Sequence, residues 1–195
     1  EIDSSFALVS QEAGLLLERS GLAATLHDYG HVHPTGSYAL DLMAWRDIDI
    51  HLVLFEMWDP LDAFFALGHQ IAKLRGVTRM TFGNHLRLPY PKLPVGLYWG
   101  VRIINSENGQ EWKVDIWAVD EAHIHQNDGL MERIRGALDS TSRRLILEMK
   151  HALLTDEGRT PFLSGVPLCE AVLFEGLRGE AAIRAYLRQQ GVKDV

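Results

Sequence analysis

The sequence predicts an α+β fold in which a β-sheet is flanked by helices and followed by a C-terminal helical part. Three observations carry the prediction. Strand-length apolar runs occur at 48–55, 97–104 and 111–119, stretches of helical apolar spacing precede and separate them, and past residue 126 only helical spacing remains. The boundary falls between an α/β core over 1–125 and a helical part over 126–195.

The first element is an amphipathic helix from about Ser5 to Leu26, with Phe6, Val9, Ala13, Leu16 and Leu17 on one side and Ser4 or Ser5 as its cap. Extended chain follows from Tyr29 to His33 and stops at Pro34-Thr35-Gly36-Ser37. A short helix through Leu40 and Met43 starts with Ser37 as N-cap. Ile48 to Phe55 reads as a central strand. Asp59-Pro60 opens a helix carrying Phe64, Leu67, Ile71 and Leu74, which ends at Gly76. Pro89, Pro91 and Pro94 mark a loop. The strands Leu97–Ile104 and Glu111–Val119 flank Asn108-Gly109, a hairpin signal, and a two-residue turn there sets Arg102 opposite Asp115 and Gly100 opposite Trp117. Leu130, Ile134, Leu138, Leu145, Met149 and Leu153 form the stripe of one long helix, closed by Gly158 and Pro161. A last helix runs from Pro167 to Gln190, interrupted near Gly176 and Gly179.

Composition narrows the function classes. Every hydrophobic stretch is interrupted by a charge before the roughly 18 residues a membrane span needs, so no membrane role is expected. The lone Cys169 cannot form an internal disulfide and no leader-like segment opens the chain, which predicts a cytoplasmic setting. A net charge of -7 argues against a surface built to grip long nucleic acid, since such surfaces cluster Lys and Arg against phosphates.

The chemistry lies in Gly36-Ser37, nine intervening residues, then Asp47-Ile48-Asp49-Ile50, and much later Val114-Asp115-Ile116. Strand side chains alternate, so Asp47 and Asp49 share one face while Ile48 and Ile50 occupy the other. Carboxylates that close repel each other, and a cation between them relieves the repulsion. Asp115 poses the same problem on a second apolar strand. Hard oxygens with no cysteine beside them favour Mg2+ or Mn2+ over zinc. Gly36 permits close backbone approach to a phosphate, and Ser37 offers it a donor.

In this combination the sequence resembles the nucleotidyltransferase superfamily related to DNA polymerase beta, over about residues 30–120. Thr35 stands where that superfamily usually has an apolar residue. The resemblance implies a mixed sheet, two metal ions held by Asp47 and Asp49, and Asp115 beside one of them. It also implies a nucleoside triphosphate, with ATP expected, whose monophosphate passes to a hydroxyl of a small molecule or protein. Minimal bacterial transferases that modify antibiotics or protein hydroxyls have a similar layout. Asp47, Asp49 and Asp115 are then the catalytic and metal-binding residues, with Gly36, Ser37, Arg102, Lys113 and Lys150 as triphosphate contacts. Asp115 would help deprotonate the acceptor, with Glu148, Glu170 and Glu175 as alternatives.

Competing readings attach to the same residues. Asp115 could serve only as a cross-strand partner of Arg102. Arg143 and Lys150, seven residues apart, share a helix face that can meet phosphates, whereas Arg144 and Glu148 have ordinary salt-bridge spacing. His31/His33 and His123/His125 raise a zinc hydrolase reading that lacks a third ligand. Tyr38, Trp45, Trp99 and Trp117 are candidates for base stacking or for core. A non-catalytic, antitoxin-like binding module of the same fold is the remaining alternative.

Overall fold

Thirteen elements alternate along the computed structural model, which describes residues 2–56, 59–155, 158–162, 164–193 and 195. They are α1 (Ile2–Arg19), α2 (Leu22–His27), β1 (Gly30–Thr35), α3 (Gly36–Ala39), β2 (Asp47–Leu54), α4 (Pro60–Ile71), β3 (Val77–Asn84), β4 (Leu97–Ile104), β5 (Glu111–Ala118), α5 (Glu121–Ala137), α6 (Ser140–Ala152), α7 (Val166–Leu173) and α8 (Glu180–Gln189). The side chain of Phe6 and those of Ser4 and Ser5 lie outside the described residues.

The strands form one mixed five-stranded sheet in the order β1-β2-β5-β4-β3. Only β2 and β5 pair in parallel; the other neighbours are antiparallel. One face of the interior strands is wholly apolar: Ile48, Ile50 and Leu52 of β2 and Trp112, Val114 and Ile116 of β5 are buried under Leu16, Leu22 and Leu26 of α1 and α2 and Phe64, Leu67 and Ile71 of α4. A second apolar cluster joins Leu40 and Leu42 to Ile134, Ile146, Leu168, Val172, Ile183 and Leu187 of the C-terminal helices. No helix among the described residues is long and apolar enough to cross a membrane.

Local chemistry explains where the helices stop. Asp59 accepts hydrogen bonds from the amides of Leu61 and Asp62 at 2.9 and 3.2 Å, and Pro60 supplies the first turn of α4, as its sequence predicts. The predicted first helix is instead two, because Gly21 adopts φ 81°, a left-handed conformation that ends α1. The predicted long helix also divides. Asp139 accepts from the Ser142 amide at 2.7 Å while Ser142 Oγ accepts from the Asp139 amide at 3.0 Å, a capping box that restarts the chain as α6. Hydrophobic spacing survives such a break because both helices face the same core.

Two further expectations are corrected. Strand β3 has no counterpart in the sequence reading: it is an edge strand with exposed Thr78, Arg79 and Thr81 and a bulge beside Val77, so its alternation is irregular. The β4–β5 connection is longer than two residues. Asn105 donates to the Gln110 carbonyl and Gly109 to the Asn105 carbonyl, so residues 105–110 lie outside the ladder and the register slips by two. Arg102 therefore faces Lys113, and Gly100 faces Asp115. A slip of two preserves which face each side chain occupies.

Candidate functional site

The polar face of β2 and β5 begins one residue away from the core. Parallel pairing sets Asp47 beside Lys113 and Asp49 beside Asp115, and β1 contributes Thr35 opposite Asp49. Sequence reasoning placed Asp47 and Asp49 on a common face and assigned Asp115, on another strand, to the same site, and the register sets the three side by side. Directly after Thr35 the chain turns at Gly36 with φ 60°, and a Cβ there would stand 2.6 Å from Asp49 Oδ2. Glycine is required twice, by the backbone angle and by the carboxylate pressed against it. Helix α3 starts at Gly36 with Thr35 at its N-cap, so Ser37 is not the cap its type suggested.

Ser37 has a different partner. Lys150, buried to 4% exposure on α6, donates to Ser37 Oγ and to the Leu42 carbonyl, both at 2.7 Å. Burial pulls the Lys150 ammonium down to about 8, against the opposing pull of Cys169, Asp49 and Asp47. Arg143, on the same helix face, donates to the Leu40 carbonyl at 3.2 Å and to the Asp41 carbonyl at 2.5 Å. The 143/150 face thus clamps the segment after the Gly-Ser turn. Arg144 bonds Glu148 at 2.9 Å in the ordinary helical pairing, which engages Glu148 on an exposed face.

The carboxylates already have a cation. Lys113 Nζ lies 3.1 Å from Asp47 Oδ1 and 2.5 Å from Asp115 Oδ2. Burial works against the Lys113 charge, but Asp47 and Asp115 outweigh it and raise the pKa of the ammonium. Even so, burial pushes Asp47 up to about 6, with Lys113 opposing and Asp115 adding to the rise. Asp49 rises to about 7 through burial and then the charges of Asp47 and Asp115. Asp115 is held from the other side as well, because Tyr98 Oη donates to its Oδ1 at 2.8 Å. No sequence signal singled out Tyr98; the true register, with Gly100 opposite Asp115, is what makes its reach visible.

Among the described residues no group of three or more His, Cys, Asp or Glu forms a ready metal cage. Around the aspartates an ammonium bridges the oxygens instead. The donor set itself suits a hard divalent cation: three carboxylates without sulfur, two of them with raised pKa values that added positive charge would lower.

Arg102 is not beside Asp115. It lies across from Lys113 and from Arg79 of β3, with Glu111 at 3.6 Å, one strand beyond β5 and away from the Ser37–Lys150 contact. The histidine pairs meet elsewhere. His33 faces His51, whose ring lies 4.8 Å from that of His123, and a cleft of about 480 Å³ is lined by His27, His31, His33 and His125 with Val53 and Ile124. The aromatics are mainly packing groups: Trp99 stacks on Phe64 and donates to its carbonyl at 2.9 Å, and Trp117 packs on Tyr98. Lys113 Nζ is 5.8 Å from the centre of the Trp45 ring.

No known family model matches the sequence, and no curated protein matches it either. Solved structures do match the fold. Two are of Cid1: one, described as the Cid1 poly(U) polymerase with Mg and 3′-dATP bound, is 15% identical with a TM-score of 0.54, and the other, described as an RNA terminal uridylyl transferase, is 16% identical with a TM-score of 0.55. Each covers 85% of this chain and 48% of its own. The GLD-2/RNP-8 complex matches at 12% identity and a TM-score of 0.51, over 74% of this chain and 52% of that one. The chain thus spans about half the length of the chains it matches. Over most of its length the chain therefore shares the fold of these solved structures, a mixed five-stranded sheet flanked by helices.

Proposed function

We propose that the protein is a metal-dependent nucleotidyltransferase that moves a nucleoside monophosphate from a nucleoside triphosphate, ATP in the first instance, to an acceptor hydroxyl. The observation that carries this reading is the meeting of Asp47, Asp49 and Asp115 on one sheet face against the Gly36 turn. A structural role alone leaves three partly buried carboxylates together with one ammonium that bridges only Asp47 and Asp115, a costly arrangement. Asp47 and Asp49 would hold two Mg2+ or Mn2+ ions, and Asp115 would share one. Those cations would activate the attacking oxygen and neutralise charge on the triphosphate.

The chain's own residues supply the rest. Ser37, backed by the buried Lys150 ammonium, offers its hydroxyl to the triphosphate beside the Gly36 turn. Lys113 leaves its carboxylate bridge for a phosphate oxygen, keeping a positive charge beside Asp47. Asp115 takes the acceptor proton as the acceptor oxygen bonds to the α-phosphorus and pyrophosphate departs. Arg102 serves the acceptor side in this arrangement, since β5 separates it from the Ser37 side. A cytoplasmic setting is part of the same reading.

The acidic overall charge favours a small-molecule or protein hydroxyl as acceptor. A second reading, an RNA 3′ end, draws support from the transverse row Arg79–Arg102–Lys113 beside the carboxylates and from RNA-modifying structural neighbours. The test is transfer of label from each α-labelled nucleoside triphosphate with Mg2+, offered to an RNA oligonucleotide, to small polyhydroxylated compounds and to protein. Wild-type transfer that disappears in Asp49→Asn supports the enzyme. Metal-independent triphosphate binding without transfer supports a non-catalytic module, and zinc binding without triphosphate binding supports the histidine site.

A further inference from the structure

Tyr98 makes a contact that the packing of β4 does not require. Its Cα partner is Trp117, two residues along β5 from Asp115, so the ring must lean over the neighbouring position to bring Oη within 2.8 Å of Asp115 Oδ1. That neighbouring position is Gly100. A Cβ there would stand 2.3 Å from Tyr98 Oη and 2.9 Å from Cζ. Gly100 has no left-handed φ that would call for glycine, and a glycine inside a strand weakens it. The missing side chain is explained by the path of the tyrosine. The ring is braced independently, 4.7 Å from the Trp117 ring and 6.4 Å from that of His85, so losing the hydroxyl leaves its packing in place.

The two oxygens of Asp115 consequently have separate donors, Tyr98 Oη on Oδ1 and Lys113 Nζ on Oδ2. A carboxylate with one free oxygen can rotate about its terminal torsion, which is broad and roughly two-fold. With Oδ1 anchored to a braced phenol, Oδ2 keeps its aim when Lys113 moves away. Since β4 lies across β5 from β2 and Ser37, the anchor stands on the acceptor side.

We propose that Tyr98 is a positioning residue that locks Asp115 for metal binding and acceptor deprotonation, and that Gly100 exists to let it reach. This rests on the nucleotidyltransferase reading of Asp115. The test compares wild type, Tyr98→Phe, Gly100→Ala and the double variant, with folding checked by thermal melting. Tyr98→Phe should lower kcat by about 10–100-fold, the usual effect of removing a group that orients a metal ligand, with the triphosphate KM within about two-fold of wild type. Gly100→Ala should fall in the same direction by displacing the phenol. The double variant should be no worse than the weaker single variant, because both remove one contact. Mn2+ affinity, measured by electron paramagnetic resonance, should fall in Tyr98→Phe and reads the position of Asp115 without turnover. Unchanged kcat and Mn2+ affinity in Tyr98→Phe, or losses that multiply in the double variant, overturn the assignment of Tyr98. A wild type that binds Mn2+ but transfers nothing overturns the proposed function alone, with Mn2+ affinity still deciding Tyr98. A wild type that does neither overturns both.

Discussion

The two faces of β2 and β5 are built from alternating residues of the same segments, yet they obey different physics. On one face Ile48, Ile50, Val114 and Ile116 are at most 1% exposed and hold the sheet to its helices. On the other, Asp47, Asp49, Lys113 and Asp115 are only partly exposed and oppose burial, with raised carboxylate pKa values recording the cost. The difference teaches that the apolar face supplies stability which the polar face consumes. A sheet this well anchored can tolerate three clustered carboxylates with one ammonium bridging two of them.

Substitutions on each face break this comparison in opposite ways. The largest effect is expected for Asp49→Asn, which should reduce Mg2+-dependent transfer by on the order of 10²–10³-fold while leaving the metal-free protein as stable as wild type or more so. Destabilisation of the metal-free form would show that Asp49 holds the fold together instead. Ile116→Ala, one position from Asp115, should do the reverse. Urea unfolding should register a loss of about 2–5 kcal/mol, while any transfer by the remaining folded protein keeps its metal dependence.

Lys113→Met should have a smaller and conditional effect. Without the ammonium, Asp47 and Asp115 repel, so the metal-free protein should melt lower, and millimolar Mg2+ should raise Tm by more in the variant than in wild type. Equal Mg2+-induced gains would mean that Lys113 and the ion do not compete. The mildest probe is pH. Folded-state values of about 6 for Asp47 and about 7 for Asp49 exceed the ordinary value of about 3.9, so between these limits the folded chain binds more protons than the unfolded one. Their contribution is therefore fully present below about pH 4 and lost as pH rises to about 7. Melting of Asp49→Asn should follow a flatter pH course than wild type, and a parallel course would refute the raised pKa of Asp49.

The alternation of β2 and β5 was legible because it depends on nothing beyond the strand period of two. Partners distant along the chain were not. Lys150 reaches Ser37 across 113 positions, and only the packing of α6 against the segment after α3 makes that contact. The hairpin register failed for a local reason: Asn105 and Gln110 close a longer loop than Asn108-Gly109 suggests. The face assignment survived because the slip was even. The capping box at Asp139 was readable in principle, but a continuous hydrophobic stripe masked it.

By itself the sequence determined which strands carry carboxylates, which face those carboxylates share and which residues fill the apolar side, because these follow from side-chain periodicity and the cost of burying charge. Tertiary structure alone decided who compensates that charge: Lys113 bridging two aspartates, Lys150 behind Ser37, and Tyr98 leaning over Gly100. The reason is geometric. Periodicity orients a side chain relative to its own strand, whereas a hydrogen bond depends on the register and packing of two elements to within a fraction of an ångström.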